Sequence, residues 1–79
     1  MTKFIDQHPM TPFTAEQLRK AMKAPEDEFG VTHHDLLYTE GEDKLWCVLN
    51  APDMEAVEKH HAKLDLECEW IHRVESARD

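Results

Sequence analysis

Glycine is scarce, with two residues in a chain of 79. So few glycines cannot build a phosphate-cradling loop, and neither the P-loop nor the dinucleotide-binding spacing occurs. Cysteine is limited to Cys47 and Cys68, and there is no Cys-x-x-Cys. Gly-x-Ser-x-Gly and His-Glu-x-x-His are missing too, which excludes the familiar hydrolase elbow and the zincin helix. Basic residues number 9 against 17 acids, and the net charge is −8. A field of that sign repels phosphate backbones, so neither nucleic acid nor a membrane is an expected partner. No apolar run approaches the roughly 20 residues of a membrane-spanning helix. No charged segment followed by an apolar one opens the chain. A cytoplasmic location with reduced thiols is therefore expected.

What the chain has in quantity is histidine. Six are present, and "VEKHHAKLDLECEWIHRV" (57–74) holds three of them together with Cys68. Protonating all six would bring the charge from −8 to −2, so the charge is steeply pH-dependent below about pH 6.5. Hydrophobic residues make up 41% of the chain, enough for a folded core rather than a disordered tail. The length suits one domain over residues 1–79, with 76–79 as a frayed end. A domain this small often gains stability by oligomerising or by binding a metal.

Periodicity predicts six elements. "TKFIDQH" (2–8) has strand length. "TAEQ" (14–17) matches a capping box, so a helix starts at Thr14 and ends near Ala24, because Pro25 disfavours helix at the residue before it. "VTHHDLLYT" (31–39) and "KLWCVLN" (44–50) read as strands joined by a turn around Gly41. Asn50 is the expected N-cap of a second helix. On that helix Met54, Val57, His61 and Leu64 form an apolar stripe. "CEWIHRV" (68–74) closes the chain as a strand. The order β-α-β-β-α-β predicts an α+β, ferredoxin-like fold: a four-stranded antiparallel sheet in order 4-1-3-2, with both helices on one face. The other face carries aromatic residues that need cover, so a face-to-face homodimer is expected.

Imidazole and thiolate suit nickel, zinc or copper. In the expected strand order His8 lies between His72 on one side and Cys47 on the other. Asp6 shares its face with His8. His61 faces the sheet by helical phase, while His60 points about 100° away and reads as a solvated bystander. Cys68 reads as incidental. His33 and His34 alternate, so at most one points inward. The plain alternative is a core histidine at position 61, satisfied by backbone or water, and a small hydrophobe at Cys47.

The residues also resemble a family. "FIDQH" (4–8), "TAEQLRKA" (14–21), "FGV" (29–31), "LWCVLNAPDMEAVEKHH" (45–61) and "IHRV" (71–74) are similar to a family of small bacterial ferredoxin-like domains of unknown function with nickel-binding members. The stretch from Cys47 to His61 is the most specific. The resemblance implies a dimer that binds a divalent metal through positions matching Asp6, His8, Cys47, His61 and His72. Family members often carry a histidine and an acid in the first helix, where this chain has Met22 and Pro25. That departure implies weaker binding here.

The leading expectation is thus a non-catalytic, cytoplasmic, homodimeric binder of divalent metal, with His8, His61, His72, Asp6 and Cys47 as ligands. The metal is nickel, or alternatively zinc or copper. One alternative is a small dimeric barrel enzyme of the monooxygenase or isomerase type, with His61 as base and an apolar cavity beside it. A plain interaction module is the other.

Overall fold

The computed structural model describes residues 2–78. Met1 and Asp79, the two ends of the expected domain, lie outside the described residues; Asp79 is also the last residue of the expected frayed end. The elements are β1 (Thr2–His8), α1 (Ala15–Met22), β2 (Thr32–Thr39), β3 (Lys44–Ala51), α2 (Met54–Lys63) and β4 (Trp70–Val74). They form one antiparallel sheet in the order β2-β3-β1-β4, which is the expected 4-1-3-2 read from the other edge.

Strict alternation sorts the two central strands. Phe4, Asp6 and His8 on β1 and Leu45, Cys47, Leu49 and Ala51 on β3 are buried under the helices. Leu18 of α1 and Ala56 and Val57 of α2 close the core from above. The opposite sheet face carries Ile5, Leu37, Trp46 and Trp70, and Leu37 is 50% exposed. No described helix covers that face.

The capping box forms as expected. Thr14 Oγ1 accepts from Gln17 N at 3.2 Å, and Gln17 Oε1 accepts from Thr14 N at 2.9 Å. Thr14→Ala should cost about 1 kcal/mol, measured as a shift in urea unfolding free energy.

Several boundaries differ from expectation. The second helix is capped by Asp53, whose carboxylate accepts from Ala56 N at 2.8 Å, and Asn50 is a strand residue. Pro52 explains the shift: it holds Ala51 in extended backbone, so the strand runs on and the cap moves past the proline. The β2–β3 turn places Asp43, not Gly41, in the left-handed region, at φ 51°. Aspartate tolerates that conformation, and the Asp43 carboxylate is held by Thr11 N and Thr11 Oγ1, each at 2.7 Å. Leu64 is the C-cap of α2 and 48% exposed, so the apolar stripe ends at His61. Asp65, with φ 55°, terminates the helix. β4 begins at Trp70, which leaves Cys68 in the preceding loop.

Candidate metal centre

Strand pairing sets Asp6 opposite Cys47. His8 lies two residues further along the same face and reaches Cys47 diagonally, Nε2 to Sγ 3.3 Å. His8 Nε2 is also 3.6 Å from Asp6 Oδ1. From above, α2 lowers His61 onto the same carboxylate, Nε2 to Asp6 Oδ2 2.9 Å. The loop after α2 then returns Cys68 to His61, Sγ to Nδ1 3.0 Å. Two triads result, Asp6–His8–Cys47 and Asp6–His61–Cys68, each with ligand atoms within 4.8 Å of one another. Asp6 belongs to both.

The electrostatics of this cluster centre on Asp6. It is fully buried, and among the described residues neither carboxylate oxygen has a well-formed hydrogen-bond donor, although His61 Nε2 lies 2.9 Å away and the Cys47 thiol stands beside it. A buried carboxylate without donors is costly and rare. Burial pushes the Cys47 thiol far above its ordinary range, and the Asp6 carboxylate beside it adds to the shift. The Cys68 thiol is pushed up to about 12, first by burial and then by Asp6. Both sulfurs therefore carry their protons at neutral pH.

Of the expected ligands, Asp6, His8, Cys47 and His61 come together. His72 does not join them. The register pairs it with Ile5, so it lies on the opposite face of the sheet, exposed and 5.1 Å from the Trp70 ring. The expectation that strand pairing sets His72 beside His8 is thus corrected. A strand neighbour shares a face only in register, and the even positions of β4 pair with the odd positions of β1.

Two residues read as bystanders are not. Cys68 contacts His61, as described. His60 is buried, at 7% exposure, and its Nδ1 lies 2.6 Å from Asp27 Oδ2. The loop between α1 and β2 folds over that side of α2 and covers it, which helical phase alone cannot reveal. Burial by itself would raise the Asp27 carboxyl, but hydrogen bonds from Val31 N, from His60 and from Phe29 N outweigh it and hold it below the usual range. His33 is half-buried against His60, with ring centres 5.4 Å apart. Burial and the neighbouring His60 hold His33 below the ordinary imidazole value. His34 is exposed, at the β2 irregularity between His33 and Asp35.

Comparisons with known proteins give the family and the fold. The profile of the SCO4226-like family, described as nickel responsive protein SCO4226-like, matches residues 4–74. The chain belongs to this family. The crystal structure of SCO4226 from Streptomyces coelicolor A3(2) superimposes with a TM-score of 0.75 at 24% identity, covering 95% of this chain and 98% of that one. That likeness establishes the shared fold. No curated protein matches the chain. The donors gathered around Asp6, namely two imidazoles, two thiols and one carboxylate, fit a borderline divalent ion of the nickel or zinc kind. The carboxylate without a donor is the polar atom pair such an ion would satisfy.

Proposed function

We propose that this protein is a small homodimeric, cytoplasmic, non-catalytic binder of a divalent transition metal, with nickel as the resident ion. The observation that carries the reading is Asp6, a fully buried carboxylate without a hydrogen-bond donor, set between two histidines and two cysteines. The family's nickel-responsive description supports nickel over zinc or copper. Asp6, His8, Cys47 and His61 would hold the ion, with Cys68 added to the expected set. When bound, the ion supplies the positive charge that this carboxylate lacks. The chain's own residues do the rest: Asp6 is shared by both triads, the strands fix His8 and Cys47, and α2 and its loop bring His61 and Cys68. The N-terminal Asp53 cap and the Val57 contact hold α2, and hence His61, in place.

The thiols set the pH dependence. Ligation needs thiolate, and both thiols are held protonated, so uptake of Ni²⁺ releases protons. Acid therefore works against binding, and affinity falls as pH drops. Calorimetry of Ni²⁺ binding in two buffers of different ionisation enthalpy should give different apparent enthalpies, corresponding to at least one proton released per ion. Native mass spectrometry with Ni²⁺, Zn²⁺ and Cu²⁺ reports stoichiometry and assembly together. No uptake of any of the three would end the metal reading.

One observation favours a second reading, that of an enzyme with His61 as base. A largely apolar cavity of about 80 Å³ touches His61, His8, His33 and His60. Pockets for small-molecule substrates are typically about 300–1,000 Å³. The cavity is too small for most of them, and the metal reading is preferred.

A further inference from the structure

A metal-binding reading leaves one physical question open, which is how a cation reaches a centre this deep. Asp6 and His8 are 0% and 2% exposed. A bare divalent ion cannot cross an apolar wall, because desolvation costs far more than binding at the far side returns. It must pass from ligand to ligand.

The structure offers a single file of imidazoles along the small cavity. Ring centres are 5.4 Å apart from His33 to His60, 5.7 Å from His60 to His61, and 6.1 Å from His61 to His8. All four rings line the same cavity, as does Cys47. With metal–nitrogen bonds of about 2.1 Å, two imidazoles on one ion have ring centres roughly 4.5 to 6.4 Å apart, depending on the angle at the metal. Every step in the file falls in that range.

The outer end is built to receive a cation. Asp27 engages His60 at Nδ1, which leaves Nε2 as the nitrogen without a hydrogen-bond partner among the described residues, the arrangement in which a carboxylate orients a ligating histidine. The Asp27 side chain is itself 16% exposed, and it sits in the acidic loop "PEDEFG" (25–30) beside exposed Glu26 and Glu28. Acidic groups at a mouth raise the local cation concentration. The sequence leaves that acidic loop as a mere connection, and the metal centre makes no use of it.

We propose that His33 and His60, oriented by Asp27, form a transient loading site that receives a divalent cation at the surface and passes it through His61 to the Asp6 centre. The proposal rests on the metal-binding reading above. It assigns His33 and His60 to the rate of loading and not to the resident site.

The test is stopped-flow mixing of apo protein with Ni²⁺, following the near-ultraviolet thiolate-to-nickel absorption that reports arrival at the cysteines. His33→Phe keeps a ring of similar size beside His60 and removes both nitrogens. Losing even an outer partner of a metal ligand typically costs about tenfold or more, so His33→Phe, which removes an imidazole of the pair, should load at least about tenfold more slowly. The final Ni²⁺ per chain and the equilibrium affinity should match the wild type. His34→Phe and His72→Phe, at exposed histidines outside the file, should load at the wild-type rate. Loading of His33→Phe at the wild-type rate would overturn the proposal. So would a lower final stoichiometry at unchanged rate, since the pair would then hold a resident ion. If circular dichroism shows that His33→Phe does not fold, His60→Asn carries the same test, because its amide nitrogen stands where Nδ1 did and still donates to Asp27. Failure of the wild type to take up Ni²⁺ at all would instead sink the metal reading, and the two failures are distinguishable.

Discussion

Asp6→Asn is expected to lower Ni²⁺ affinity by about two to three orders of magnitude while leaving the apo protein as stable as the wild type or more so. The two halves follow from the same fact. Removing one partner of a buried charge pair typically costs about 3–5 kcal/mol, and each 1.4 kcal/mol is about tenfold in affinity. In the apo protein the effect reverses. Asp6 is fully buried without a hydrogen-bond donor, so its charge is a liability until a cation arrives. Asparagine keeps the size and removes the charge. A purely structural Asp6 would behave differently: it would be needed by the apo fold, and its loss would lower the urea midpoint. Calorimetry with Ni²⁺ and urea unfolding of the same variant separate the cases. Reduced apo stability with unchanged affinity would remove Asp6 from the proposed site.

Leu37→Glu is expected to convert the proposed homodimer into a monomer. Leu37 is half-exposed and pairs with Trp46 across the uncovered sheet face, where Ile5 and Trp70 also lie. An obligate interface on such a face would bury roughly 2,000 Å² or more. A two-fold interface counts each substitution twice. Losing about 1.5 kcal/mol or more per buried leucine should therefore raise the dissociation constant by about a hundredfold or more. Because Leu37 is half-exposed in the single chain, the monomer itself should keep its fold. Sedimentation velocity at tens of micromolar reads the outcome. A wild type that sediments at its 9.3 kDa chain mass would remove the dimer reading altogether.

The sequence by itself carried the architecture. Thr14 and Gln17 announce α1 because a capping box is a local hydrogen-bond exchange, complete within four residues. Alternation in "TKFIDQH" and "KLWCVLN" puts Asp6, His8 and Cys47 on one face, since a period of two needs no knowledge of the partner strand. Helical phase turns His61 inward for the same reason. What spacing could not decide was everything that depends on register or on a loop's path. His72 is exposed on the far face because β4 pairs His72 with Ile5, and a shift of one residue reverses every side chain of a strand. Asn50 lost the cap to Asp53 through the constraint that Pro52 places on its neighbour. Cys68 reaches His61 only because α2 ends at Lys63 and the chain then doubles back. His60 is buried only because the loop after α1 lays Asp27 over it. Local periodicity fixes which way a side chain leaves its own element. Only the packed tertiary structure fixes what it meets there, because contacts such as His60 with Asp27 and the pairing of His72 with Ile5 join residues more than thirty positions apart in the chain.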